Sequence, residues 1–331
     1  MSTTETTDPF DRAAYLGRIN LTEEQIQACP PQSFELLNLL LSSHQYAIAY
    51  ENLAACGHIE PQTSHVPFPG IRVSLNPNHI FKKLVLDHRG GYCFEQNILF
   101  ARALAEFGFT SIQTAAARVS ITTRNYVDSS QGLEPEPVPL LSKTHMILLV
   151  KVADGRTYLS DVGFSGAGQP RGPIELVPDV ETFYPDSGDR YKLRKANLKS
   201  ASQQSPDDWI APKWLSDHHS VLPEDDAKES VFWFLQYSPS VGRPFYEMYL
   251  FSSDSVMTRM DYETSNWFTS TSPYSPITNG VKCSINTPTG RNSMVDSVCK
   301  IRAKGKDVVE IQIVDNAHRA RVLREYFNIH V

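Results

Sequence analysis

The chain has 331 residues, 41% of them hydrophobic and 21% charged. That is the balance of a globular protein too long for one hydrophobic core, so two or three domains are expected. Its formal net charge of −6 is spread along the chain, which argues against nucleic acid or an anionic membrane as the main partner. No apolar run approaches the roughly 18 residues a spanning helix needs, and the polar start, Met1 to Phe10, lacks the pattern of a signal peptide.

In chain order the text begins helical. Phe10, Tyr15, Leu16 and Ile19 fall at helical spacing. Thr22 with Gln25 three residues on forms a capping-box pattern, and Phe34 with the leucines at 36, 37 and 39–41 marks a third helix. A proline-rich passage, 61–77, follows, and helical text resumes near Ile80. The clearest helix comes after Gly90 and Gly91, with Phe94, Ile98, Phe100, Leu104 and Phe107 apolar and Gly108 as its stop.

From Ser111 the period shifts toward two. Strands are expected at 116–122, 145–152, 157–162, 231–236 and 246–251, with a polar loop at 128–139. The stretch 185–226 is rich in Lys, Ser, Asp and Pro and reads as a surface insertion. A helix at 255–268, strands at 293–304 and 308–314 and a closing helix at 318–327 complete the reading. Helices followed by strands indicate an α+β protein rather than an alternating α/β one.

The five cysteines are Cys29, Cys56, Cys93, Cys283 and Cys299, an odd number with no C-x-x-C pair. Neither a disulfide framework nor a zinc site is expected, and a reducing, cytoplasmic setting with free thiols fits. Cys93 stands apart. It opens a helix directly after Arg89-Gly90-Gly91-Tyr92, where unpaired N–H groups and the helix dipole favour a thiolate. A thiolate there can carry an acyl group as a thioester. An inert buried cysteine beside a glycine turn is the competing interpretation.

A nucleophile of this kind needs a base. Of ten histidines, His145 alone opens a buried-looking strand, His145 to Val150, and the next strand ends at Asp161, a carboxylate able to orient it. A two-residue Asp154-Gly155 turn would put Leu148 opposite Asp161 and send His145 to the other face. One extra residue, as a bulge or a three-residue turn, puts Ile147 opposite Asp161 and makes the pair same-face neighbours. That register is expected if the two residues cooperate.

Together, Arg-Gly-Gly-x-Cys-x-Glu, a histidine opening an apolar strand and Asp161-Val162-Gly163-Phe164 resemble the arylamine N-acetyltransferases. Tyr15-Leu16-x-Arg18-Ile19, Glu51-Asn52-Leu53, Thr271-Ser272-Pro273, Cys283 to Pro288 and the closing Val322 to Ile329 extend the likeness over about 10–331. Ala49-Tyr50 stands where the family usually has Pro-Phe.

The resemblance implies a helical bundle at 1–110 carrying Cys93 and a β-barrel-like domain at 111–252 carrying His145 and Asp161. An α/β lid at 253–331 would complete a cysteine-proteinase-like core. It also implies ping-pong transfer of acetyl from acetyl-CoA, or of malonyl or propionyl from their thioesters, to arylamines, arylhydrazines or arylhydroxylamines, with no permanently bound cofactor and a role in xenobiotic metabolism. Leu141, Ser142, Phe268 and Tyr274 match positions lining the coenzyme A cleft. The tail that contacts pantetheine in some members has no counterpart expected beyond Val331. Glu51 and Arg89 are candidates for an ion pair behind the cysteine loop. A papain- or transglutaminase-like thiol hydrolase shares the order Cys, His, Asp, and a binding module with an inert Cys93 is the third possibility.

Overall fold

A computed structural model of the protein describes residues 8–59, 70–119, 142–197, 231–254 and 256–331. Short capped helices open the chain: α1 (Arg12–Arg18), α2 (Glu23–Gln27) and α3 (Phe34–Ala47). The capping box at Thr22 and Gln25 forms as expected, and the Ser33 hydroxyl caps α3. A two-residue strand β1 (Tyr50–Glu51) and α4 (Pro77–Phe81) follow, and α4 runs into a wider π-type turn, Lys82–Leu86. Helix α5 (Cys93–Glu106) closes on Gly108 at φ 89°, a left-handed stop that glycine adopts without strain.

Eight antiparallel strands form the central sheet: β2 (Ile112–Val119), β3 (His145–Lys151), β4 (Thr157–Ser160), β5 (Ile174–Glu175), β6 (Thr182–Phe183), β7 (Arg190–Asn197), β8 (Val231–Ser238) and β9 (Tyr246–Phe251). Their order is β5-β4-β3-β2-β9-β8-β7-β6. The sheet nearly closes into a barrel, because just past β5 the Asp179 amide donates to the Leu193 carbonyl of β7 at 2.7 Å. One face of β3, with Ile147 and Leu149, fills the barrel with Leu159, Leu193, Leu235 and Phe251. The other, with Met146, Leu148 and Val150, packs on the helices around Phe94 and Phe100. Burial on both faces accounts for the unbroken apolar run.

Helix α6 (Arg259–Thr271) leads to a five-stranded sheet, β10 (Lys282–Thr287), β11 (Gly290–Val295), β12 (Val298–Ala303) and β13 (Val309–Gln312), with β1 at its β10 edge. Helix α7 (Asn316–Phe327) packs Val322, Leu323 and Phe327 on it. No helix among the described residues is long and apolar enough to cross a membrane.

Two sequence expectations need correction. The stretch 185–226 is not surface throughout, since it contains β7, with Tyr191 and Leu193 buried in the barrel. Lys192, Arg194 and Lys195 hid a strand whose Tyr191 and Leu193 are buried; residues 198–226 lie outside the described chain. The single strand expected at 293–304 is parts of two, turned at Asp296, which takes φ 52° in place of a glycine. Strand β10 was not anticipated. The loop at 128–139 lies outside the described residues.

Candidate active site

The loop before Cys93 is held by close backbone approach. The Glu51 amide donates to Gly91 O at 3.0 Å, and Gly91 N donates to Ala49 O at 3.3 Å. A side chain at Gly90 would collide with the Ala49 carbonyl, and one at Gly91 would come within 2.8 Å of the Glu95 carboxylate. Glu95 caps the helix by accepting from the Tyr92 amide at 3.1 Å. Cys93 is therefore the first residue of a helix whose start is fixed, and it is buried.

Behind the loop lies a closed ionic cluster. Arg89 meets Glu51 at 2.7 Å, Lys83 meets Glu95 at 2.7 Å and Lys83 reaches Glu51 at 3.6 Å, all four side chains being buried. Burial pushes both carboxyls up. At Glu51 the two cations more than offset it, so that carboxyl sits below its usual range. At Glu95 burial and the neighbouring Glu51 prevail over Lys83, and the carboxyl is raised.

In front of the loop, His145 Nε2 lies 2.7 Å from Asp161 Oδ2. The register is the one that cooperation requires. Leu148 pairs with Ser160, which continues to Ile147 opposite Asp161, and the extra residue sits in a three-residue turn, Ala153 to Gly155, with Gly155 at φ 91°. Asp161 is fully buried and saturated. Its Oδ2 also accepts from the Tyr249 hydroxyl at 3.0 Å, and its Oδ1 from Asn97 Nδ2 at 3.1 Å and Gly163 N at 2.9 Å. Burial alone would raise this carboxyl, but His145 and the donors hold it below its usual range.

His145 shows the complementary shift. Burial favours its neutral form, but the charge and hydrogen bond of Asp161, with a further contribution from the Cys93 sulfur, raise it to about 10. Its ring is clamped edge-on by Phe164, centroids 5.3 Å apart. Gly163 cannot be larger, because its Cβ would sit 2.6 Å from Cys93 Cα. The glycine lets the Asp161 strand end lie directly on the first turn of α5. The Cys93 Sγ contacts the Thr144 carbonyl at 3.5 Å, one residue before His145.

Cys93 and His145 open on a cleft of about 330 Å³, walled by Tyr50, Tyr92, Phe164 and Ile277 among others. Ser142, Phe268 and Tyr274 line the same cleft, whereas Leu141 lies outside the described residues. Tyr92 is tied to α6 through its hydroxyl, which donates to Asn266. The other four cysteines are free, and burial raises the pKa of each.

A family profile described as N-acetyltransferase matches residues 33–331. An arylamine N-acetyltransferase of Mycobacterium bovis is 27% identical over 325 residues, 97% of this chain and 90% of that protein. The chain belongs to the arylamine N-acetyltransferase family. An N-malonyltransferase, FDB2, of Gibberella moniliformis is 25% identical over 270 residues, 81% of this chain and 68% of its own. A Mycobacterium marinum arylamine N-acetyltransferase solved in complex with CoA shares the fold at TM-score 0.68 and 24% identity, covering 96% of this chain and 93% of that one. The chain is thus an acyltransferase of the arylamine N-acetyltransferase family.

Within that family frame, sequence reading named Cys93, His145, Asp161, Arg89, Glu51 and the glycines, but missed four side chains around them. Asn97 sits one helical turn after Cys93, on the same face of α5, so helical period could have found it. Lys83, Tyr249 and Asn266 carried no local signal.

Proposed function

We propose that this enzyme transfers an acetyl group from acetyl-CoA to arylamines, arylhydrazines or arylhydroxylamines through a thioester on Cys93. The observation that carries this reading is the buried 2.7 Å contact between His145 and Asp161 beside a cysteine at a fixed helix start, with Cys93 and His145 facing one cleft. Asp161 keeps His145 protonated, so the imidazolium stands ready to give a proton to a departing sulfur.

In the first half-reaction the Cys93 sulfur attacks the thioester carbonyl. The bond to Cys93 forms, the bond to coenzyme A breaks, and the His145 proton passes to the departing sulfur. In the second, the amine attacks the acyl-enzyme, its proton returns to His145 and Cys93 leaves as the thiolate, so the ion pair is restored. The Cys93 backbone N–H is the candidate oxyanion donor. Phe268, Tyr274 and Ser142, which line the cleft, would contact the coenzyme, with the β10–β13 sheet as lid; that a CoA thioester is the donor is supported by the M. marinum protein of the same fold having been solved with CoA.

A second donor reading, malonyl-CoA, is favoured by the likeness to the Gibberella N-malonyltransferase. Initial rates against acetyl-CoA and 2-aminophenol test the common mechanism. Parallel double-reciprocal lines, and coenzyme A release before amine is added, are expected. Intersecting lines without such release would mean direct transfer in a ternary complex.

A further inference from the structure

Residues 272–281, between α6 and β10, form neither helix nor strand, yet Tyr274, Ser275, Pro276 and Ile277 wall the cleft that holds Cys93. Side chains give this turn its shape. The buried Ser275 hydroxyl accepts from the Ile277 amide at 3.2 Å and donates to the Thr269 carbonyl of α6 at 2.7 Å. Asn279 Nδ2 donates to the Pro273 and Ser275 carbonyls, both at 2.9 Å. Short polar side chains that bond nearby backbone stand in for a ladder in such stretches. These contacts tie the start of the turn to α6, and its far end needs an anchor of its own.

Asn52, the residue directly after β1, is that anchor. Its backbone amide donates to Lys282 O at 3.3 Å, and its Oδ1 accepts from the Lys282 amide at 2.7 Å. Its Nδ2 donates to Ile277 O at 2.7 Å and to Gly280 O at 2.8 Å. The side chain is buried, and both amide hydrogens are used. A carboxamide can donate twice and accept at once, whereas an ionised aspartate can only accept. The preceding residue, Glu51, holds the other side of the cleft, through Arg89 at 2.7 Å and through its amide on Gly91 O at 3.0 Å. The loop before Cys93 and the 274–277 wall are thus fastened to consecutive residues, whose Cα atoms stand about 3.8 Å apart.

We propose that Asn52 is a positioning residue for the acyl donor: by fixing the 274–277 wall relative to Cys93, it sets the fit of the thioester's coenzyme part in the cleft. The assignment rests on the acyl-transfer reading above, in which Tyr274 contacts the coenzyme, and it adds no chemical step. All four hydrogen bonds of the Asn52 amide and side chain go to 277–282, and none goes to the loop before Cys93. Loss of the side chain should therefore weaken the donor half-reaction and leave the sulfur as reactive as before.

Asn52→Ala and Asn52→Asp in the full chain test it, by steady-state kinetics with acetyl-CoA and a simple arylamine and by the rate of Cys93 alkylation with iodoacetamide. In a ping-pong reaction kcat/KM for each substrate reports its own half-reaction, and the ratio of the two does not depend on the fraction folded. Asn52→Ala should lower kcat/KM for acetyl-CoA about tenfold, the order of a buried hydrogen bond lost, against less than about twofold for the arylamine and for alkylation. Asn52→Asp keeps the volume but sets a charged acceptor against the Ile277 and Gly280 carbonyls, so its ratio should fall further than that of Asn52→Ala. If Asn52→Asp does not fold, the ratio in Asn52→Ala decides alone. A ratio unmoved in Asn52→Ala overturns the proposal, and so does a smaller fall in Asn52→Asp, which would mean that the site needs only volume. Alkylation slowed in step with donor kcat/KM overturns it too, since Asn52 would then support the loop before Cys93. Failure of the unaltered enzyme to form an acyl group on Cys93 would remove the acyl-transfer reading, and this assignment with it, before any variant is compared.

Discussion

Two clusters of buried charge flank the first turn of α5, and they obey different rules. The rear cluster, Glu51, Lys83, Arg89 and Glu95, holds two cations and two anions, all of them buried. The front cluster, Asp161 and His145, is just as buried but opens on the cleft through Cys93. In the rear, ion pairing fixes the shape of a loop. In front, the same physics is used to keep a proton on an imidazole where burial would remove it. Buried pairing can therefore serve stability or reactivity, and the cleft decides which.

Substitutions should separate the two. The largest effect is expected for Asp161→Asn, which should lower kcat/KM by about 10⁴, the order seen when a triad carboxylate is removed. Its pH profile carries the cause. In the unaltered enzyme activity should hold until His145 loses its proton near pH 10, and in the variant, where only the Cys93 sulfur still opposes burial, that limb should move to clearly lower pH.

Stability should follow the same pair. His145, raised in the fold, contributes stability that is fully present below about pH 6.5 and lost as pH rises through about 10. Asp161, lowered in the fold, contributes stability present above pH 3.8 and lost on further acidification. Urea melts at several pH values should show both flanks flattened in Asp161→Asn.

Lys83→Met tests the rear cluster. It leaves Glu51 with one cation and Glu95 with none, and it should cost about 3–5 kcal/mol of folding stability in urea melts. The kcat of its folded fraction should fall far less than in Asp161→Asn; an equal fall would erase the distinction between the clusters. The smallest change is expected for Tyr249→Phe. Losing one of the four contacts on Asp161 should slow turnover only a few-fold, the worth of a single hydrogen bond of about 1 kcal/mol.

Much of the front cluster was legible in the sequence because it is built locally. The glycines before Cys93 and the 153–155 turn that sets His145 against Asp161 all lie within short stretches. Tyr249 escaped because it reaches Asp161 across 88 residues, through the pairing of β2 with β9. Lys83 escaped because it sits in a π-type turn that helical period does not anticipate. Strand β7 was lost under Lys192, Arg194 and Lys195, the charged neighbours of the Tyr191 and Leu193 that fill the barrel. Local chemistry spoke clearly, whereas long-range pairing and the hidden face of a half-buried strand did not.

The most direct measurement is to incubate the enzyme with an acyl-CoA in the absence of amine, digest it and locate the acyl group. One acyl group per chain is expected, on the peptide containing Cys93, and adding an arylamine should discharge it into N-acylated product. Product formed at full rate while Cys93 stays unmodified, or with the acyl group on another cysteine, would contradict the account.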